Sequence, residues 1–296
     1  MIKKIITGLL FILTYSFAYT AESAVNIIVP FPPGGAYDSV ARKFAKFVTE
    51  ETKTSIVISN VLGAGGYIGL QKLESSPPNT LMITSSAIYN HFIDYNIPIE
   101  NFKFIAVLAD GPYFLTVSRN KGLTCEQLKT NPRIFFAATG GVGSGSSIPV
   151  SMIQEKYSNF VDVPYKGTVQ SLTDLMSGQV DLSFVSGFFN ARPDLIYLAN
   201  TSENPYDGIP TMKSCLGINK TITAHYVIVA KKSVDDNIVQ EINHLAGVFA
   251  KQEDIINFYK QQGIVSKVGT LDQTDKLVKF EFEKVKRIYN DTKNQK

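Results

Sequence analysis

Between an apolar run and an amphipathic one, residues 30–38 read PFPPGGAYD. Pro30, Pro32 and Pro33 fix φ and remove backbone donors, whereas Gly34 and Gly35 lack a Cβ and let another chemical group approach the main chain. A helix starting directly afterwards has unpaired N–H groups in its first turn and carries the positive end of its dipole there. A carboxylate or phosphate at that point accepts backbone hydrogen bonds without needing an arginine. The same residues also suit a plain strand-to-helix turn in which Asp38 satisfies the first helical turn, and spacing alone does not separate the two.

A comparable stretch, Gly140-Gly141-Val142-Gly143-Ser144-Gly145-Ser146-Ser147, follows an apolar strand-like run and precedes a helical one. Ser146 stands where the third glycine of a dinucleotide loop belongs, and Gly143 stands where a nucleophile elbow needs its serine. What remains is a set of hydroxyls and bare N–H groups. The glycines of residues 63–69 also miss the dinucleotide spacing. His91, His225 and His244 are the only histidines. None is spaced to share a metal, and each reads as a surface or packing residue. The acid pairs Asp235-Asp236 and Glu281-Glu283 read as solvated helix faces. No nucleophile has an evident base, so the chain is expected not to be an enzyme and to need no cofactor or metal. An exported hydrolase using Ser144 is the weaker chemical alternative.

The elements that must hold these loops alternate. Strand-like runs at 25–29, 55–59 and 80–85 are separated by helical periodicity from Ala36 onward, at 66–74 and at 87–95. Two further strands, 104–108 and 113–118, flank Ala109-Asp110-Gly111-Pro112, after which a second series begins. It predicts helices at 124–129, 148–156 and 169–177 and strands at 134–138, 161–163 and 182–185. A strand at 226–230 and helices at 235–250, 253–262 and 273–289 complete the chain. This is the pattern of an α/β fold with helices on open sheets. Crossings near 106–116 and 224–230 divide it into a discontinuous first lobe, residues 24–108 plus 225–296, and a second lobe, 109–224. Two connections make a hinge.

The first residues, MIKKIITGLLFILTYSFAYTAESA, run from charged through apolar to small, as a secretory signal peptide does, and residues 1–23 are expected to be removed on export. With 44% hydrophobic and 19% charged residues and a net charge of +3, the chain is neither disordered nor built for a polyanion, and no nucleic-acid partner is expected. Cys125 and Cys215 are too far apart in sequence for a CxxC pair. Export permits a disulfide, and two buried thiols remain the alternative.

VPFPPGGAYDSVAR, the GAGG-x-I-G segment after Asn60, GVGS at 141–144, VPYKG at 163–167 and DLMSGQVDL at 174–182 together resemble the tripartite tricarboxylate transporter substrate-binding family, also called Bug proteins. The resemblance runs in order from Asn26 to about Gly269. It implies a two-lobed, periplasmic-binding-protein-like fold of type II, the Venus flytrap arrangement with two hinge crossings. It also implies a periplasmic, monomeric protein that captures a small organic acid, a di- or tricarboxylate or acidic amino acid, and delivers it to membrane permease subunits. A metabolite-sensing accessory that docks on a receptor sensor domain is the alternative.

Carried onto this chain, the resemblance places Phe31, Gly34, Gly35, Ala36 and Tyr37 around one end of the ligand, with Asp38 bracing the loop. Ser85, Ser86 and Ala87 add donors from the same lobe. Thr139, Gly143, Ser144 and Ser147 face them from the other lobe, Tyr165, Gly167 and Thr168 mark a further helix start, and Asp181 leads into the strand that delivers Ser186. The chain departs from the family pattern at Ser147, where a histidine is common, at Leu62, where an arginine is common, and at Pro78-Asn79-Thr80, one residue short of the usual turn. The ligand is therefore not inherited from any relative, and a smaller or less charged acid fits the expectation equally.

Overall fold

The computed structural model describes residues 25–141, 143–187 and 193–293, with side chains to residue 287. The expected signal peptide lies outside the described residues, among which no helix is long and apolar enough to cross a membrane.

The chain opens with β1 (Val25–Val29), α1 (Ala36–Thr52), β2 (Ile56–Asn60), α2 (Tyr67–Ser75), β3 (Thr80–Ser85) and α3 (Ile88–Asp94). A long β4 (Phe102–Pro112) leads across to β5 (Phe114–Ser118), α4 (Cys125–Thr130), β6 (Phe135–Thr139), α5 (Ser147–Gln154), β7 (Phe160–Pro164), α6 (Thr168–Ser177) and β8 (Leu182–Val185). After β9 (Leu195–Asn200) and α7 (Met212–Leu216), β10 (Thr223–Lys231) returns, followed by α8 (Asp236–Phe249), α9 (Glu253–Gln262), β11 (Val265–Ser266) and α10 (Leu271–Lys293).

Two sheets result, ordered β11-β4-β10-β3-β1-β2 and β7-β6-β8-β5-β9. In the first, β2, β1 and β3 are parallel, and β10 enters antiparallel between β3 and β4. The second repeats this plan: β7, β6 and β8 are parallel, and β5 enters antiparallel between β8 and β9. Each sheet thus takes its antiparallel strand from the segment that has just crossed from the other. This α/β architecture with two such sheets is the two-lobed type expected. β4 runs on to Pro112 and β10 begins at Thr223. The first sheet therefore keeps residues 109–112, where the sequence suggested a break, because these residues find ladder partners on β10.

Both faces of each sheet are covered. On one face of the first sheet, Val40, Phe44 and Val48 of α1, four residues apart, meet Ile27, Ile83 and Phe249. Tyr89, Phe92 and Val278 cover the other face. The second sheet is sandwiched between a cluster around Leu115, Phe135 and Ile153 and another around Phe114, Leu172 and Leu175. Cys125 and Cys215 are joined, with Cα atoms 5.2 Å apart, and tie α4 to α7.

Candidate functional site

Pro32 to Gly35 form a turn in which the Gly35 N–H donates to the Pro32 carbonyl at 3.2 Å. Gly34 at its third position has φ +77°. A type II turn has this form, with proline second and glycine third, so the two prolines and two glycines have a local purpose. Gly35 then starts α1 in an extended conformation with no side chain capping it. Asp38 turns back instead and accepts from Gly34 N, Arg42 Nε and Asn60 Nδ2, each at 2.8 Å. Burial alone would raise its carboxyl, but the bonds from Arg42, Asn60 and Gly34 outweigh that and hold it below the usual carboxylate range. Asp38 is thereby committed to the loop, and no side chain caps the first turn of α1.

Opposite this turn, α6 begins after Gly167, again with no side-chain cap. Both helix starts line one cavity between the lobes, together with Ser85, Tyr113, Ser144, Ser146, Phe184 and Ser186. Its place is at the carboxyl ends of the parallel strands β1, β3, β6, β7 and β8, the position where open α/β sheets bind ligands.

Below it lies a stack of aromatic rings. Phe31 and Tyr37 have centroids 4.4 Å apart, and Tyr37 and Tyr226 4.2 Å apart. The Tyr226 hydroxyl is 2.9 Å from Ser186 Oγ, joining the lobes at the cavity floor. Burial pushes the Tyr37 phenol up to about 12, against hydrogen bonds with Ser186, Tyr113 and Ser85 that lower it. Tyr113 and Tyr226 are raised well above the ordinary phenol value, also by burial first. All three are therefore neutral hydroxyls at ordinary pH.

Of the residues named from sequence, the structure brings Phe31, Gly35, Ala36, Tyr37, Ser85, Ser144, Gly167, Thr168 and Ser186 to the cavity wall. Gly34 and Asp38 stand behind them as turn and brace. Ser86 lies to one side, donating from Oγ to Thr223 O and tying the end of β3 to β10. The Ala87 N–H donates to Ser85 Oγ. Thr139 donates to Asp162 and Tyr165 to Asp174, so both hydroxyls are engaged within the second lobe. Ser147 donates to Ser144 O, shaping the loop from behind.

Gly143 is not on the wall; it packs against His91 of the other lobe, where an added Cβ would lie 3.1 Å from Cε1. His91 is buried there, with Nε2 3.1 Å from Gly65 O. Asp181 is not part of this assembly. It precedes β8, at the opposite end of that strand from Ser186, and it accepts from Lys121, Arg133 and the Phe136 amide. A buried carboxylate beside a strand start has two possible uses, and only the tertiary contacts show that this one is an internal ion pair.

Sequence reasoning missed Pro32, Tyr113, Gly140, Gly145, Ser146, Val169 and Phe184 on the wall, and Tyr226 beneath it. Tyr113 and Tyr226 both fall within the crossings expected near 106–116 and 224–230, which is the one signal that would have pointed to them. Gly145 is required by Tyr113, whose hydroxyl occupies the place a Cβ would take. Ser144 Oγ is 3.1 Å from Ser146 Oγ, and no histidine is among the described residues that line the cavity.

A family model described as tripartite tricarboxylate transporter family receptor matches residues 40–293. The chain belongs to this family. Its members are receptors for solutes rather than enzymes. Protein BugT of Bordetella pertussis is 24% identical over 292 residues, covering 90% of this chain and 89% of that protein. Among solved structures, the periplasmic binding protein BugD superposes with a TM-score of 0.82 at 21% identity, covering 90% of this chain and 97% of that one. Rpa4515 of R. palustris with adipate superposes with a TM-score of 0.81 at 22% identity, covering 90% and 96%. These likenesses establish the two-lobed fold of this receptor.

Proposed function

We propose that this receptor is a periplasmic solute-binding protein that captures a small carboxylate-bearing metabolite between its lobes and delivers it to membrane permease subunits. One observation carries the reading: two uncapped helix N-termini, α1 from one lobe and α6 from the other, meet at a single cavity. Amides of Ala36 and Tyr37 on one side and Thr168 and Val169 on the other are placed to donate to one anion, with the helix dipoles adding positive potential. Because the donors come from both lobes, an anion between them binds the closed arrangement better than an open one, which is what drives closure. The family supports the delivery step, the apolar leader supports export, and the similar solved structure with adipate supports a carboxylate. The described residues hold no cluster of metal ligands.

The decisive test removes one amide. Thr168 is the first residue of α6, a position where proline keeps the helix and removes the N–H together with the side-chain hydroxyl, so Thr168→Val, which loses the hydroxyl alone, is the control and should keep the response. A panel of carboxylic acids should raise the melting temperature of the wild type in a concentration-dependent way. Thr168→Pro should lose that rise while its melting temperature without added acid changes by no more than about 2 °C. A wild-type response in Thr168→Pro refutes the anion site.

A further inference from the structure

We infer that Tyr226, which does not itself line the cavity, is a positioning residue for the guest: its hydroxyl, reaching across from the first lobe, fixes Ser186 of the second lobe as a hydrogen-bond donor in the wall. The inference rests on the carboxylate reading above and adds the group that orients one of the wall's hydroxyls. Tyr226 stands on β10 beside the crossing between the lobes, paired with Ser85 of β3 and Ala109 of β4. The β4–β10 register shifts directly after it, and an irregularity of this kind re-aims the neighbouring side chain. Its ring is fully buried and stacked on Tyr37 at 4.2 Å, which holds the phenol in one direction. Gly187, with φ +82°, lets the other lobe come this close: a Cβ there would lie 2.9 Å from Ala36 Cβ and 3.2 Å from the Tyr226 hydroxyl.

A hydroxyl carries one proton. The Tyr226 oxygen is 2.9 Å from Ser186 Oγ and 3.4 Å from the Ser186 carbonyl oxygen, which can only accept. Both bonds end on Ser186, and donation to Oγ makes the shorter one. Ser186 then keeps its own proton, whose acceptor is the Tyr37 hydroxyl at 3.5 Å. A contact that long is weak, so an oxygen of the guest replaces it readily. Ser186 is therefore set to donate, which is the polarity a carboxylate oxygen requires. Without the Tyr226 hydroxyl, the Ser186 rotor is free to turn and its proton is no longer held toward the cavity. Elsewhere the lobes approach through missing side chains, Gly167 at the Pro32 ring and Gly143 at the edge of His91, contacts that exclude but do not orient.

The test is a double-mutant cycle on binding. Calorimetric titration of the mature protein with succinate, L-malate, adipate, citrate, L-glutamate and L-lactate identifies the tightest-bound probe, whose affinity is then measured for Tyr226→Phe, Ser186→Ala and the double variant. Tyr226→Phe keeps the ring on Tyr37 and should weaken the probe about three- to tenfold, the size of one neutral hydrogen bond. Ser186→Ala should weaken it at least as much, and adding Tyr226→Phe to Ser186→Ala should change the affinity by less than about twofold. Tyr259→Phe controls for the loss of a buried phenol: its hydroxyl lies in the same core with no partner among the described residues, and affinity should stay within about twofold. Additive losses, or an unchanged affinity in Tyr226→Phe, overturn the positioning role and leave the carboxylate reading standing; binding of none of the six probes overturns both. Should Tyr226→Phe not fold, Ser186→Ala decides, since an unchanged affinity there overturns the role as well.

Discussion

Asp38 and Asp181 are a matched pair for separating folding from binding. Each is a nearly fully buried carboxylate held by a basic side chain and a backbone amide, Asp38 by Arg42 and Gly34, Asp181 by Lys121, Arg133 and Phe136. Changing either to asparagine keeps the shape but turns one acceptor oxygen into a donor. In Asp38→Asn, at least one of three bonds at 2.8 Å becomes a donor facing a donor. Losing a hydrogen bond to a charged group costs about 1.5–3 kcal/mol. The Arg42 attraction adds no more than about 1 kcal/mol, because the guanidinium is 51% exposed and screened. The expected loss is about 2–3 kcal/mol, a drop in melting temperature of roughly 5–10 °C.

Asp181→Asn should cost a similar amount for the same reason. Their effects on binding should differ. The Asp38 carboxylate fixes the Gly34 amide, and with it the turn that presents Ala36 and Tyr37, so Asp38→Asn should weaken a bound carboxylate by about tenfold or more, while Asp181→Asn should stay within about twofold. Urea denaturation and calorimetric titration of the two variants measure both quantities. Equal affinities in the two variants would refute the assignment of Asp38 as the brace of the binding loop.

Acid should unfold the protein partly through the same two groups: their native pKa values lie below the unfolded value of about 3.9, so their stabilisation is complete above that pH and lost as pH falls through the native values. A urea midpoint series below about pH 5 should be flatter in Asp181→Asn than in the wild type.

His91 should make binding pH-dependent. Burial at the rim lowers its pKa, with the Gly65 carbonyl and Asp94 opposing, and the rings of Tyr67 and Tyr95 pack nearby. Parting the lobes exposes it, so affinity should be constant above about pH 6.5 and fall by up to about tenfold per unit below it, and titrations of His91→Gln from pH 5 to 8 should show a flatter profile.

His225, buried on β10 opposite Asp110 of β4 with both ring nitrogens unpartnered, is lowered to about 4 by burial first and then by Lys267 and Lys284. Folding stability should therefore decline as pH falls from about 6.5, where the unfolded residue protonates, towards 4, and melting curves of His225→Leu should decline less. Replacing Cys125 and Cys215 by serine opens a loop of 90 residues and should lower stability by about 4–5 kcal/mol, read by urea denaturation, with carboxylate binding retained where the protein stays folded.

Local chemistry is what the sequence determined. Periodicity is a property of neighbouring residues, so the alternation of strands and helices, the two crossings and the family motifs were all readable along the chain. Pro33 and Gly34 demand their turn wherever they occur, and that turn leaves the amides of α1 bare. β9 escaped because LIYLAN is a half-buried strand whose pairing with β5 lies far off in sequence. Which groups share the cavity was decided only when two lobes, each folded around its own sheet, met. Contacts within each lobe already make Asp38 the brace of a turn and Asp181 an internal ion pair, and the meeting of the lobes decides the rest. It places Tyr113 and Tyr226 beneath a site to which no motif assigns them. It also turns Gly167 and Gly143 from loop punctuation into contact surfaces, because the partner that excludes their side chains belongs to the opposite lobe.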